Sequence, residues 1–462
     1  MFALTQKTKI YFIGIGGIGM SGIAKILLQL GYAVSGSDLS LGPVTDELKK
    51  MGAQIFSEHA RGQIQDARVV VFSSAIKTTN PEYREAQEKG IPLVQRGEIL
   101  AELMRLKFGL AIAGSHGKTT TTSMIATLFH TAGKDPTHIV GGIVQNLGNH
   151  AHSGKSDLLI AEADESDGSF LYLNPIYAIL TNIDNDHLDY YKTVEILQSA
   201  FVQFANKVPF FGGVILNADD DGCQKIRPQI KRAVIDYGIA KNAQDTKRAK
   251  YMASDLKSSP TGIEYTFFKQ GHVLGKMKLQ VLGQHNVLNS LAAAATGLEL
   301  GIDFETVAKG LNQFQGVGRR LEILKSEKDF LVIDDYGHHP SEVKAVLSTI
   351  KQTYPQKKFV VVFEPHRYSR TQQLWDDFCT AFANCDELHL LPIYPASETA
   401  LAGITSENLL KDIKLSQKKL MPTFDDLIPL LKMYHGQNVC ILGLGAGLIS
   451  KKLRAALSTY DK

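Results

Sequence analysis

The groups best suited to phosphate chemistry lie in the stretch 110–122, LAIAGSHGKTTTT. Its apolar run, Leu110-Ala111-Ile112-Ala113, reads as a buried strand that breaks at Gly114. Gly117-Lys118-Thr119 opens a helix on which Met124, Ile125, Leu128, Phe129 and Ala132 share one face. A glycine-rich turn between strand and helix, here Gly114-Ser115-His116-Gly117, lets backbone N–H groups curl around an anion. The helix N-terminus adds its partial positive charge. Lys118 would then reach the β- and γ-phosphates of a nucleotide such as ATP, and the hydroxyl of Thr119, followed by Thr120, would hold Mg2+. The match is to GxxGKTT, because Ile112 stands at the first glycine of the longer P-loop pattern. A plain Gly/Ser turn before an amphipathic helix would not need Lys-Thr at that point.

Acids gather where neighbouring strands end. Leu158-Leu159-Ile160-Ala161 runs into Glu162-Ala163-Asp164-Glu165-Ser166-Asp167, and a strand ending in an acid is how a P-loop enzyme holds magnesium. Strand alternation favours Glu162 and leaves Asp164, Glu165 and Asp167 to a solvated, helix-capping turn. Ala178-Ile179-Leu180 ends in TNIDNDHLD, where His187 among acids could ligate a cation, fix a phosphate or lie in a surface turn. Asn286 and Asn289, three apart on one helix face, could read an adenine edge or cap the helix.

At the front of the chain, Gly14-Ile15-Gly16-Gly17-Ile18-Gly19 follows the strand Ile10-Tyr11-Phe12-Ile13 and precedes a helix over 20–30. GxGxxG in that setting signals a nucleotide diphosphate but not which nucleotide. Asp38, past a second strand over 33–36, lies where an acid commonly meets a ribose, which taken alone suggests NAD. Ser73-Ser74 end a strand over 69–72, and His59 in SEHARG could line the same crevice or be merely solvated. Near the far end, a strand over 331–333 leads to Asp334-Asp335-Tyr336-Gly337-His338-His339, and one over 359–363 leads to Glu364-Pro365-His366-Arg367-Tyr368-Ser369-Arg370. The following helix places Leu374, Trp375, Phe378, Cys379 and Phe382 on one face. Gly443-Leu444-Gly445-Ala446-Gly447 resembles another phosphate loop, and close helix–strand packing explains it equally well.

The elements that carry these groups alternate as strand, loop and helix, which predicts an α/β protein with mostly parallel sheets. A chain of 462 residues, 44% hydrophobic, suggests two to four domains with ample core. A net charge of +3 is too small to imply nucleic acid or a membrane surface as partner. The four cysteines are scattered without a CxxC, which points to a reducing cytoplasm. An uncharged run over 10–24 carries five glycines and ends at Lys25, so it is no signal peptide, and no long apolar run suggests a membrane span. The period shifts towards two over 251–282, predicting a small antiparallel excursion. A helix over 95–105 and the Gly316-Val317-Gly318-Arg319-Arg320 hinge divide the chain into 1–98, 99–316 and 317–462.

GSHGKTT, EADESDGSF, TNIDNDHLD, HNVLNSLAAAA, GRRLE, DDYGHHPSEV and FEPHRYSRT stand in the order found in the Mur ligases, the ATP-dependent amide-forming enzymes of peptidoglycan synthesis. The resemblance runs from about Ile10 to Gly447 and, through the combination of GIGGIGMSGIA, DDYGHHPSEV and FEPHRYSRT, is strongest to members that add alanine first. It implies a Rossmann-like UDP-binding domain, a central P-loop ATPase domain and a Rossmann-like C-terminal domain that receives the amino acid. It also implies ATP, Mg2+, UDP-N-acetylmuramate and L-alanine as ligands, and a monomer or homodimer.

By this resemblance Gly16, Gly17, Ile18 and Gly19 would meet the UDP pyrophosphate, with Asp38, His59, Ser73 and Ser74 around the uridine. Lys118 would bind ATP phosphates, Thr119, Glu162 and His187 would serve magnesium, and Asn286 and Asn289 would face the adenine. Arg320 would approach the phosphates and Asp335 and Tyr336 the ribose, while His366, Arg367 and Arg370 would collect around the forming bond and the alanine carboxylate. Several later-acting members use a carbamylated lysine to bridge magnesium. Residues 199–206 contain no lysine, and Lys207 lies one residue too late.

The motifs supply no enzyme nucleophile, so the resemblance implies a substrate acyl phosphate, with His187 or His366 as candidate acceptors of the amine proton. An acyl phosphate open to water hydrolyses, so closure should precede chemistry. The nearest rival within the family is the recycling ligase that attaches a tripeptide to the same UDP-sugar. A folate-type glutamate ligase would lack the front domain. An NAD-dependent oxidoreductase or a nucleotide-sensing module would leave Lys118-Thr119, Glu162 and the arginine-rich third part without a purpose.

Overall fold

Short apolar runs, each closed by glycine or a polar turn, pair into three sheets in a computed structural model that describes residues 8–396 and 398–460. The first sheet comprises β1 (Lys9–Ile13), β2 (Ala33–Ser37), β3 (Gln54–Phe56), β4 (Val69–Phe72) and β5 (Leu93–Gln95) in the order β3-β2-β1-β4-β5. All its pairings are parallel. Strand order reverses between β1 and β4, so a crevice opens at their carboxyl ends, where the glycine turn 14–19 and Ser73 emerge. The helix Ile18–Gln29 starts two residues earlier than the sequence pattern suggests, because Gly17 is extended (φ −61°, ψ 141°) and caps it.

The second sheet has ten strands: β6 (Phe108–Ala113), β7 (Thr137–Val144), β8 (Asn149–His152), β9 (Leu158–Glu162), β10 (Tyr177–Leu180), β11 (Gly213–Asn217), β12 (Val234–Ile239), β13 (Tyr251–Ser259), β14 (Gly262–Lys269) and β15 (His272–Leu279). Their order is β15-β14-β13-β12-β11-β10-β6-β9-β7-β8. The expected excursion is β13 to β15, joined by two-residue turns that force an antiparallel course. At the centre β6 lies between β9 and β10, with Ile112 opposite Glu162 and Ala113 opposite Leu180. That register delivers the loops after β6, β9 and β10 to one place.

The helix Lys118–Thr131 departs from the amphipathic expectation. Every residue from Thr120 to Phe129 is buried. One side lies on β7 and β9, while the other is covered by the helix Phe304–Gln313, where a side chain at Gly310 would come within 2.9 Å of Leu128. Two of its polar side chains are satisfied within the helix, as Thr122 and Ser123 donate to the carbonyls of Lys118 and Thr119 at 2.8 and 2.7 Å.

The third sheet comprises β16 (Glu322–Ser326), β17 (Phe330–Asp335), β18 (Lys358–Phe363), β19 (Glu387–Leu390), β20 (Lys418–Leu420) and β21 (Val439–Leu444) in the order β16-β17-β21-β18-β19-β20. Only β16 runs antiparallel among these pairings. Asp335, Leu444 and Phe363 are level across β17, β21 and β18, so the loops that follow leave side by side. The single helix expected after Arg370 is two, Tyr368–Gln373 and Trp375–Ala381, broken at Leu374 (φ −110°, ψ 24°).

Two compact units result. The first holds the chain to Asp255, Tyr265–Met277 and Leu288–Gln315, and the second holds Leu256–Glu264, Lys278–Val287 and the chain from Gly316. Within the first unit, one continuous apolar core runs from Ile10 of β1 to Ile226 beyond β11. Among the described residues no helix is long and apolar enough to cross a membrane, and all four cysteines are buried free thiols.

Candidate active site

In the first unit, β6 ends in a turn that only glycine can make at two points. Gly114 adopts φ +139°, and a side chain there would lie 2.0 Å from the Thr181 hydroxyl. Gly117 adopts φ +82° with Asn289 Oδ1 2.6 Å from where its Cβ would be. The turn is braced from behind by the loop after β10. Ser115 N donates to Asn182 O (3.1 Å) and His116 N to Asn182 Oδ1 (2.8 Å), while Thr181 Oγ1 and Asn182 Nδ2 donate to His116 O (2.6 and 2.9 Å). His116 Nε2 lies 3.0 Å from Asp184. The amides of Ser115 and His116, expected at an anion, are therefore engaged by Asn182. The first turn of the helix, from Lys118 through Thr120, carries N–H groups with no intrahelical partner, donors of the kind that can meet an anion.

Lys118 Nζ donates to Gly114 O (2.6 Å), Ser115 O (3.3 Å) and Glu165 Oε1 (2.8 Å). Burial favours its neutral form, yet Glu165, Asp164 and Glu162 outweigh burial and hold the ammonium above its ordinary range. Thr119 Oγ1 donates to Glu162 Oε1 at 2.7 Å, and Gly141 N donates to the other oxygen. Burial raises the Glu162 carboxyl despite both bonds.

The acidic turn corrects the sequence reading at one residue in particular. Glu165, expected in solvent, is fully buried, with one oxygen on Lys118 and 3.4 Å from His187 Nε2 and the other without a partner. Asp164 pairs with Arg96 at 2.9 Å. Asp167 does cap, accepting from Ser169 N at 3.0 Å. Burial alone would depress His187, but the hydrogen bond to Glu165 and the charge of Asp186 raise it, so it favours the proton. Two carboxylates, a hydroxyl and an imidazole are an oxygen-rich donor set suited to a hard dication, and the orphaned Glu165 oxygen leaves charge to be met. Asn289 packs under the turn, accepting from Thr121 Oγ1 at 3.2 Å.

At the front crevice Gly17 and Ile18 are exposed, Ile18 by 49%. Asp38, expected at a ribose, grips the turn itself by accepting from Gly16 N (2.7 Å) and Ser40 N (2.8 Å). Arg96 stands 3.0 Å from where a Gly19 side chain would be. His59 is not a solvated loop residue. Its Nδ1 lies 2.9 Å from Ser37 Oγ and 3.0 Å from Glu82, a fully buried acid that also accepts from Tyr11 and Ser37, each at 2.7 Å. Ser73 is half-buried and Ser74 exposed, just beyond the carboxyl end of β4.

In the second unit, Arg319 and Arg320 stack on Tyr336, with guanidinium carbons 4.6 and 5.0 Å from its ring centre. Arg320 lies 3.5 Å from Glu342. Asp335, expected near a ribose, spends both oxygens on backbone, accepting from Leu321 N and Gly337 N at 2.7 Å each. Burial pushes its carboxyl up to about 6. It is a brace for the segment that carries Arg320. His366 stacks on Tyr394 (5.5 Å, 19°), with Arg370 Nη1 3.3 Å from its Nδ1. Burial first, then the charges of His338, Arg370 and Arg367, depress His366 to about 3. Arg367 holds φ +70° ahead of the helix Tyr368–Gln373. Asn286 Nδ2 donates to Leu282 O at 2.6 Å. The glycines at 443–447 prove to be packing: Glu364 occupies that helix start, accepting from Ile449 N at 2.8 Å, and Arg319 donates to Gly445 O at 2.9 Å.

Sequence reasoning missed Glu82, Thr181, Asn182 and Asp184. The last three sit in the quoted TNIDNDHLD motif, and only the pairing of β10 with β6 shows that they brace the phosphate turn.

A turn of this shape on a central parallel strand, with acids on the neighbouring strand, defines a P-loop nucleotide site. Family models described as Mur ligase family catalytic domain, Mur ligase middle domain and Mur ligase glutamate ligase domain match residues 9–108, 112–297 and 319–447. The chain belongs to the Mur ligase family. It is 46% identical to the UDP-N-acetylmuramate–L-alanine ligase of Nitratidesulfovibrio vulgaris (strain DP4) over 96% of each chain, and 46% identical to that of Aquifex aeolicus over the same shares. The structure resembles that of the UDP-N-acetylmuramate-alanine ligase of Thermotoga maritima with a TM-score of 0.82, at 28% identity over 98% of this chain and 99% of that one.

Proposed function

We infer that this chain is an ATP-dependent ligase of the cytoplasm that joins L-alanine to the lactyl carboxylate of UDP-N-acetylmuramate, releasing ADP and phosphate, in peptidoglycan precursor synthesis. The observation that carries the reading is the cluster of Lys118, Thr119, Glu162, Glu165 and His187 at one helix start, in a chain so similar along its length to ligases of that name. The assigned parts are 1–98 for the UDP-sugar, 99–316 for ATP and 317–462 for the amino acid.

The lactyl carboxylate attacks the γ-phosphoryl group, the bond to the β-phosphate oxygen breaks, and ADP leaves an acyl phosphate. The alanine amine then attacks the acyl carbon, loses a proton and expels inorganic phosphate. Lys118, held cationic by Glu165, offsets the charge that spreads over the phosphoryl oxygens, and Arg320 adds a second cation. Thr119 and Glu162, with Glu165 beside them and His187 once it gives up its proton, would hold Mg2+, which when bound would neutralise phosphate charge. Neither named histidine is placed as a free proton acceptor: His187 is turned towards Glu165, 3.4 Å away, and His366, depressed to about 3 with Arg370 at its Nδ1, is a weak base. Both are positioning residues in this reading. Asn289 supports the turn beneath the nucleotide, and Arg367 and Arg370 receive the alanine carboxylate.

Phosphate release tests the proposal. It should require ATP, UDP-N-acetylmuramate and L-alanine together. Release with the murein tripeptide but not alanine would move the chain to the recycling ligases, and release without any amino acid would overturn the reading.

A further inference from the structure

The helix that begins at Lys118 ends in a cluster the ligase reaction does not use. His130 stands in its last turn, twelve residues and about 18 Å from the lysine. Asp135 (φ +44°) lies in the turn that follows, His138 is on β7, and His152 is its direct cross-strand partner on β8. The three imidazole centres form a near-equilateral triangle, with sides of 5.5, 5.5 and 5.7 Å. Three imidazoles sharing one tetrahedral zinc, at Zn–N about 2.0–2.1 Å, have ring centres about 5 Å apart. One donor atom each from His130, Asp135 and His152 lies within 4.8 Å of the other two.

We propose that His130, His152 and Asp135, whose donor atoms already lie together, form a site for a borderline transition-metal dication, zinc by preference, that clasps the end of the P-loop helix to β7 and β8, with the His138 ring turning to supply the fourth donor as the ion binds. His138 is fully buried, and Asn149 Oδ1, 2.8 Å away, takes the hydrogen of its Nε2. That leaves Nδ1 a bare lone pair, buried and without a partner. His130 Nε2 is likewise buried and unpartnered. An acceptor held in one tautomer by a hydrogen bond at the opposite ring nitrogen is how a histidine is prepared to ligate. Burial lowers both His130 and His138, keeping them in the neutral form a metal needs. Asp135 brings one negative charge, fixed by Lys155 N at 2.9 Å. Its other oxygen is 2.8 Å from His152 Nε2, near the ligand–ligand edge of about 3.3 Å in such a tetrahedron. A bound ion takes the place of the hydrogen between them. Three nitrogens and one carboxylate oxygen favour zinc, copper or nickel over magnesium or calcium.

The test uses the full chain, stripped by a chelator and titrated with Co2+ in excess Mg2+. One equivalent should bind with the absorption bands of a tetrahedral cobalt site, be displaced by Zn2+ and raise the thermal unfolding temperature. His152→Ala, at a side chain 32% exposed, should abolish the bands while circular dichroism is unchanged. Asp135→Asn should weaken binding tenfold or more. Glu162→Gln, in the nucleotide site, should leave the bands intact. Absence of a tetrahedral spectrum in the parent protein, or its survival in both His152→Ala and His130→Gln, would overturn the proposal.

Discussion

Replacing Lys118 with alanine removes an ammonium that two carbonyls and a fully buried carboxylate hold in place, and the loss should have two separable parts. The first is catalytic. A fixed cation beside a transferring phosphoryl group resembles one donor of an oxyanion hole, worth ~100-fold or more, or about 2.7 kcal/mol. The second is structural. Removing one partner of a buried ion pair costs about 3–5 kcal/mol, and here the lower end applies because His187 stays 3.4 Å from the same Glu165 oxygen. The double variant Lys118→Met/Glu165→Gln removes both charges together and separates the parts. Phosphate release, urea unfolding and calorimetric binding of UDP-N-acetylmuramate should be measured on all three proteins. Lys118→Ala should lose turnover by ~100-fold or more and unfold earlier, while still binding the UDP-sugar. The double variant should regain stability and stay inactive. Near-normal turnover in Lys118→Ala would refute the phosphate-site assignment, and a double variant less stable than Lys118→Ala would refute the buried-pair reasoning.

Gly114→Ala should cost about 1–3 kcal/mol in overpacking against Thr181 and weaken binding of a fluorescent ATP analogue, with UDP-sugar binding intact. Unchanged nucleotide affinity would contradict the crowded turn. Arg370→Ala should chiefly raise the KM for alanine, and an unaltered KM would remove Arg370 from the amino-acid pocket. For His366, depressed from 6.5 to about 3, the neutral ring is the native form at all pH above that. Its stabilising contribution is complete above pH 6.5 and falls away as pH drops towards 3, because the unfolded chain takes up the proton first. NMR should therefore show no titration of His366 between pH 5 and 8, and a midpoint inside that range would show the ring is not held as described.

Much of this architecture is readable in the chain because the phosphate turn, its strand and its helix start are local features. Leu110 to Thr119 are contiguous, so spacing alone places lysine and threonine at a helix N-terminus. Glu162 was accessible too, since the strand that carries it ends in an acid. Glu165 was not: its burial comes from Lys118, His187 and Tyr191, the last donating to Glu165 O at 2.6 Å, all distant in sequence. Helix amphipathicity misled for a related reason. The threonines of Lys118–Thr131 read as a polar face, but Thr122 and Thr131 bond to their own helix, Thr121 bonds to Asn289, and the helix Phe304–Gln313 from far along the chain covers that side. Asp38 and Asp335 lie in the loops expected and grip backbone amides there, contacts not legible in the chain because acids that grip a backbone turn and acids that await a ribose look alike in sequence. The Gly443–Gly447 segment needed Glu364, which no local pattern supplies, to be read as packing.

The roles assigned to Lys118, Thr119 and Glu162 all require a triphosphate lying against the helix start at Lys118. A crystal grown with a non-hydrolysable ATP analogue and Mg2+ measures this directly. The γ-phosphate should lie within hydrogen-bond reach of Lys118 Nζ, with the metal on Thr119 and Glu162. A nucleotide bound elsewhere, with Lys118 still paired to Glu165 and the turn empty, would contradict those roles.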